Sequence, residues 1–232
     1  MTGHSGQQAF PAEAARAIAG AFAPIQPWGN RWDYYYTLGK LRSDPLYPGV
    51  LEALRGSAAP LLDMGCGLGL LAHALRHDGQ HMPYRGVDND AAKIQRADKV
   101  AKRASLTAGT FEVMDLATTL PVHRGSVAIL DVLQYLPEQA QQALLRNVAA
   151  MLEDDGRLVM RMALADHTRR GRISRIGDRA ANLIGWMQFR PRHYPDADSL
   201  RALLQQCGLT VSLTPLYGNT PFNNWLLVAR RG

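Results

Sequence analysis

Residues 59–70 read Ala59-Pro60-Leu61-Leu62-Asp63-Met64-Gly65-Cys66-Gly67-Leu68-Gly69-Leu70. A short apolar run delivers an aspartate, three glycines follow at alternate positions, and Leu70-Leu71-Ala72-His73-Ala74-Leu75 continues as an apolar helical stretch. Strand, glycine loop, helix is the layout of a nucleotide-type ligand site at the edge of a parallel sheet. Glycine permits a tight turn with positive φ, and without a β-carbon it lets a ligand lie against the backbone. The spacing decides which ligand. A dinucleotide loop, Gly-x-Gly-x-x-Gly, would place its third glycine at position 70, where this chain has Leu70. A phosphate loop ending in Gly-Lys-Ser/Thr is absent as well.

Beyond the loop, strands and helices alternate to about Met162. Tyr84-Arg85-Gly86-Val87-Asp88 is a second short strand. Asp88, Asn89 and Asp90 offer a helix cap, and Ala91, Ile94, Ala97, Val100 and Ala101 then share one helical face. Thr110 to Asp115 alternates as a third strand, and Ser126 to Asp131 is an apolar run suited to burial on both faces. Pro137 opens a helix with Leu144, Leu145, Val148, Met151 and Leu152 at helical spacing, with Gly156 placed to close it. Arg157 to Met162 is a fifth strand. Such alternation predicts a parallel sheet covered by helices on both faces. The tail differs: a helix from Asp198 to Gln206 ends at Gly208, and two strands follow, Leu209 to Leu216 and Asn224 to Ala229.

With 232 residues and 47% hydrophobic content the chain can bury one substantial core. Cys66 and Cys207 lie far apart, and no Cys-x-x-Cys or zinc spacing occurs, so a reducing cytoplasm is the expected compartment. His73, His77 and His81 recur every four residues, but His81 lies beyond Asp78-Gly79, and no metal site is expected there. No secretory leader or membrane-spanning run is expected either. The net charge of +6 permits an anionic partner without demanding one.

Asp63-x-Gly65-x-Gly67-x-Gly69, followed in order by Asp88, Asp115 and Asp131-Val132-Leu133-Gln134-Tyr135-Leu136-Pro137, resembles the motifs of class I S-adenosylmethionine-dependent methyltransferases. The resemblance covers residues 58–162 well and 194–231 loosely. It implies an α/β fold, a Rossmann-like three-layer sandwich with that family's mostly parallel seven-stranded sheet and a C-terminal antiparallel hairpin strand. Residues 1–57 would form an N-terminal helical and aromatic lid, and residues 58–232 the methyltransferase domain with a cap insertion at 163–193. S-adenosylmethionine is the implied cofactor. Gly65, Cys66, Gly67, Gly69 and Leu70 would pack against it where a side chain would clash, and Asp63 would position the loop or accept from its ammonium through water. Asp88 would accept the ribose hydroxyls. Asn89 would pack on the adenine edge, and Asp115 with Leu116 would receive the adenine amine. Asp131 and Val132 would border the methyl end.

Two departures bear on the chemistry. Ser126 replaces an acid often found at the start of its strand, and Gln134 stands where many relatives carry His. A neutral amide is no base. Methyl transfer is an in-line displacement from an activated sulfonium, so alignment supplies much of the rate and weakly acidic nucleophiles alone need a base. His193, Tyr194 and Tyr36 are the candidates for that role. Tyr34, Tyr35, Tyr36 again, Lys40 and Arg42 are candidates for a lid that binds the cofactor's carboxylate.

The insertion carries Ile173, Ile176, Ala180, Leu183, Ile184 and Met187 on one helical arc, flanked by Arg172, Arg175 and Arg179. A basic amphipathic helix over 172–189 suits a pocket cap, a docking site for an acidic carrier protein, or a contact with a membrane surface. No Asn/Asp-Pro-Pro-Tyr/Phe tetrad, pyrimidine-attacking cysteine or appended RNA-binding domain is present, which argues against nucleic acid as acceptor. Residues 28–54 are faintly similar to methyltransferases of bacterial fatty-acid-like and aryl-polyene pathways. The expected acceptor is therefore a small-molecule, lipid-like or acyl-carrier-bound compound, phenols included. An RNA methyltransferase and a non-catalytic cofactor-binding partner are the alternatives.

Overall fold

The computed structural model describes residues 8–26, 28–29, 31–165, 192–218, 220 and 223–232. Three helices come first, α1 (Ala12–Gly20), α2 (Trp32–Ser43) and α3 (Leu46–Leu54). They lead into β1 (Leu61–Met64), α4 (Leu70–His77), β2 (Tyr84–Asp88), α5 (Ala91–Arg103), β3 (Gly109–Val113) and β4 (Ser126–Leu130). Then come α6 (Glu138–Met151), β5 (Arg157–Ala163), α7 (Ala197–Gln206), β6 (Leu209–Pro215) and β7 (Asn224–Arg231). The seven strands form one sheet in the order β3-β2-β1-β4-β5-β7-β6. All neighbours pair in parallel except β7, which runs antiparallel to both β5 and β6. This is the mixed sheet that the resemblance to the class I methyltransferases implies. The order reverses between β1 and β4, and the crevice at the carboxyl ends of those strands is where ligands of open α/β sheets bind.

Side-chain alternation divides the core in two. Leu61 of β1, Ala128 of β4 and Val159 of β5 face the layer built from α1, α3 and α4; Leu62, Met64, Val127, Ile129, Leu158 and Met160 face α6 and α7. Each fully buried Leu or Ile contributes about 1.5–3 kcal/mol. Asp63 and Arg161 share the parity of Leu61 and Val159, so the fold aims both charges at the layer holding the N-terminal helices. That layer is not a detached appendage, because Leu41, Leu46, Val50 and Leu54 are buried in the same core as the sheet.

Local signals set the helix ends. Asp90 caps α5, its Oδ1 accepting from the amides of Ala92 and Lys93 at 3.0 and 3.1 Å, and Asp196 caps α7 through the Ser199 amide. Gly208, at φ 81°, follows the end of α7 as expected. Gly156 does not close α6. That helix stops at Met151 with Leu152 already extended, and Gly156 lies in the next turn, where a β-carbon would stand 2.3 Å from the Gly125 carbonyl oxygen. Residues 28–54 hold a further helix, α3, with Pro48 in its first turn, where a proline costs no hydrogen bond. The basic amphipathic stretch 172–189 lies outside the described residues.

Candidate functional site

The glycine loop runs from the end of β1 to the start of α4. The amides of Gly65 and Cys66 both donate to the Val87 carbonyl of β2, at 2.7 and 3.0 Å, which pins the loop to the neighbouring strand. Gly67 then turns with φ 56°, and a β-carbon built there meets no atom within 4 Å, so this side of the loop is open. Gly69 is glycine for a different reason: a β-carbon there would lie 2.4 Å from the Phe111 ring. Val132 packs its methyl group against Gly65 from the other side, so it supports the loop from below.

Asp88 ends β2 facing the loop. Its Oδ2 accepts from the Gly67 amide and its Oδ1 from the Asp90 amide, both at 2.9 Å. Each carboxylate oxygen keeps a further lone pair, so the group remains able to accept a pair of hydroxyls beside Gly67. Asn89, next to it, is exposed. Asp115 lies beyond β3, exposed, with its Oδ1 accepting from the Ala117 amide; Leu116 is packed against the α6–α7 core.

A cavity of about 100 Å³, open to solvent, lies over the loop. Its walls include Asp63, Gly65, Cys66, Gly67 and Leu70 from the loop region and Tyr36, Lys40 and Tyr47 from α2 and α3. Sequence reasoning placed the first group there and named Tyr36 and Lys40 as lid residues; Tyr47 it did not single out. Asp63 is buried and accepts the Tyr84 hydroxyl at 2.6 Å. Burial pushes its carboxyl up to about 7, against the pull of the Tyr84 hydroxyl. Burial also pushes the Cys66 thiol up, so this sulfur is a poor nucleophile. Lys40 is held charged: burial opposes its ammonium, but the Tyr47 and Tyr36 oxygens and the Asp131 carboxylate outweigh that.

A buried ion network closes the other end of the site. Arg161 of β5, only 3% exposed, donates to both carboxylate oxygens of Asp131, including a 2.7 Å contact from Nε to Oδ1, and to Asp44 in the α2–α3 link. Lys40 Nζ stands 3.8 Å from Asp131 Oδ2. Asp131 sits at φ 60°, and although burial opposes its charge, Arg161 and then Lys40 hold its carboxyl below the usual range. Asp131, expected to border the cofactor's methyl end, thus accepts from Arg161 through both oxygens. Its carboxylate ties the strand ends to the N-terminal helices.

Gln134 is buried, its Nε2 donating to the Asp131 carbonyl at 3.2 Å, and its backbone carbonyl accepts from the amides of Arg192 and His193. His193 is also gripped through its carbonyl by Gln141 Nε2 at 3.0 Å. The two catalytic candidates His193 and Tyr194 thus lie against the turn after β4, outside the cavity wall described above, whereas Tyr36 is in it. His73 packs edge-on to Phe22 at 4.9 Å, and burial lowers its pKa to about 4, so it is a neutral core histidine. Among the described residues no group of three or more His, Cys, Asp or Glu side chains is placed to hold a metal ion.

The methyltransferase-domain family model matches residues 41–213, well over half of the chain. The chain belongs to this methyltransferase family. Among curated relatives, the methyltransferase is 31% identical over 154 residues to the carboxy-S-adenosyl-L-methionine synthase of Sodalis glossinidius, a match covering 60% of this chain and 62% of the relative. It is 28% identical over 102 residues to the ubiquinone biosynthesis O-methyltransferase of Xylella fastidiosa strain 9a5c, covering 44% of this chain and 41% of the relative. The matches therefore span less than two thirds of either relative. Among solved structures, the fold is shared with magnesium protoporphyrin IX methyltransferase from Synechocystis PCC 6803 with bound SAH, at a TM-score of 0.65 and 19% identity over 95% of this chain and 94% of that one. S-adenosylmethionine is the cofactor of this family. The open side of Gly67 and the unused lone pairs of Asp88 fit its ribose, and the Lys40 ammonium fits its carboxylate.

The raised Asp63 carboxyl sets a stability trend in the ligand-free methyltransferase. Between the ordinary carboxyl range near 3.8 and about 7 the folded state keeps a proton that the unfolded chain releases. The Asp63 contribution therefore falls by about 1.4 kcal/mol for each pH unit across that window and levels off above it. His73, held neutral down to about 4, adds the opposite trend below its ordinary value of 6.5. The Asp63 contribution is therefore read as the difference in melting temperature between the parent and Asp63→Asn from pH 5 to pH 8, and the parent should lose ground against the variant as pH rises to about 7. Parallel profiles for the two proteins would contradict it.

Proposed function

We propose that the chain transfers a methyl group from S-adenosylmethionine to a hydroxyl or phenol of a small-molecule, lipid-like or carrier-tethered acceptor. The observation that carries this reading is the cavity at Gly67, whose amide Asp88 holds, walled by Tyr36, Lys40 and Tyr47 of the N-terminal helices. Such a site suits one compact acceptor group better than a nucleic-acid strand. The cofactor supplies a methyl group already activated on a sulfonium, so the protein's task is alignment and exclusion of water. Asp88 and Gly67 hold the ribose, Lys40 holds the cofactor's carboxylate, and Tyr36 is placed to receive or relay the proton that an acceptor hydroxyl gives up. His193 and Tyr194 reach the acceptor only if it extends toward the turn after β4. The relative named as an O-methyltransferase supports oxygen as the atom modified.

A second reading has the cofactor itself as the molecule modified. It is favoured by Lys40, a half-buried cation suited to a carboxylate-bearing co-substrate, and by the relative named as a carboxy-S-adenosyl-L-methionine synthase. Incubation with S-adenosylmethionine and a panel of phenols, hydroxylated lipids and acyl-carrier-bound hydroxyaryl groups, with and without a carboxylic-acid co-substrate that can give up its carboxyl group, analysed by mass spectrometry, separates them. S-adenosylhomocysteine formed together with a methylated acceptor is the expected result. A carboxylated cofactor in its place would establish the second reading, and release of S-adenosylhomocysteine with no acceptor modified would contradict the first.

A further inference from the structure

Folding buries most large apolar side chains of this protein, yet Ile25, Trp28, Trp32 and Tyr35 remain 80%, 85%, 55% and 58% exposed. Among the described residues the remaining large apolar side chains left so exposed are Val113 and Val122, far away in sequence. A concentration of aromatic surface of this kind marks an interaction site, because a protein gains nothing by hydrating indole rings.

The helix geometry gives the α2 members of the cluster one face, with Ile25 and Trp28 exposed in the segment that leads into it. Trp32, Tyr35, Gly39 and Arg42 recur at helical spacing along α2, and all four are exposed. Thr37 and Leu41, on the opposite arc, are buried in the core. Tyr36 and Lys40 occupy the arc between and line the cavity. One helix therefore presents an aromatic stripe outward and the wall of the candidate active site beside it.

The charge pattern selects the occupant. Arg31 precedes the stripe and Arg42 ends it, both exposed, and no acidic side chain lies on it. Asp33, off the stripe, is committed to Arg96 at 2.7 Å. The chain as a whole carries +6. Tryptophan and tyrosine rings settle at the headgroup level of a bilayer, and arginines beside them meet the negative potential of anionic lipids. We propose that this face, from Ile25 through Trp28 and Trp32 to Arg42, docks on an anionic lipid bilayer and places the cavity mouth at the membrane surface. The proposal stands apart from the methyl-transfer reading, since lipid binding and cofactor binding are measured separately.

The test is co-sedimentation of the full chain with vesicles of phosphatidylcholine alone and of phosphatidylcholine mixed with phosphatidylglycerol, for the parent and for Trp28→Ser/Trp32→Ser. The parent should sediment with the mixed vesicles, its indole emission should shift to the blue, and brominated lipid should quench it. The double variant should bind about tenfold more weakly or worse, with S-adenosylmethionine affinity unchanged as proof that it is folded. Equal sedimentation of parent and variant would overturn the proposal, as would a parent that ignores both kinds of vesicle. A parent that forms a dimer lost in the variant, with no vesicle binding, would also overturn it and assign the face to a second copy of the chain.

Discussion

Asp88→Ala should weaken S-adenosylmethionine binding by about 2–3 kcal/mol, roughly 30- to 150-fold in dissociation constant. The carboxylate has two jobs in one place. It accepts the Gly67 and Asp90 amides at 2.9 Å, which fixes the shape of the loop, and it offers the remaining lone pairs to the ribose hydroxyls. Alanine removes both, leaving the Gly67 amide without its acceptor and the hydroxyls without theirs. Asp88→Asn keeps one carbonyl acceptor and should lose less than alanine does. Titration calorimetry on the three proteins checks the ranking. Equal affinity for all three would take Asp88 out of the ribose role.

Arg161→Met should have the largest effect on stability, about 3–5 kcal/mol. Arg161 is 3% exposed and is the cation that both Asp131 and Asp44 face, so its removal leaves two carboxylates with only the more distant Lys40 beside them. In a domain of this size that loss corresponds to a fall in melting temperature of roughly 10 °C. Arg161→Met with Asp131→Asn should recover part of it, because the second change removes the charge that the first has orphaned. The single variant should also bind the cofactor more weakly, since Arg161 anchors the α2–α3 link through Asp44 and so holds Lys40 in the cavity wall. An unchanged melting temperature would mean that the network is relaxed and hydrated in solution.

The sheet and its ligand crevice were legible from the sequence because they rest on local rules. Three alternate glycines after an apolar strand permit few other turns, and period-two and period-3.6 patterns separate strand from helix without tertiary information. The site is less local. Asp63 and the loop glycines line the cavity because they are contiguous with its floor, but Lys40, Tyr36 and Tyr47 reach it from helices whose packing no short-range pattern specifies. Arg161 was passed over as one strand residue among others. Its signal was nonetheless present: a charge inside the apolar run Leu158-Val159-Met160-Arg161-Met162 must find a buried partner, and strand alternation puts it on the face of the N-terminal helices. The same blindness affected Asp131, whose pairing with Arg161 joins two strands thirty positions apart. Gly156 shows the opposite error: glycine after a helical pattern reads as a cap, while here the close approach of the Gly125 carbonyl requires it.

The central claim is that the loop from Gly65 to Gly69 holds S-adenosylmethionine and no dinucleotide. Calorimetric titration of the chain with S-adenosylmethionine and, separately, with NADH tests it most directly. Saturable binding of S-adenosylmethionine with no heat from NADH is the expected result; binding of NADH with none of S-adenosylmethionine would contradict it.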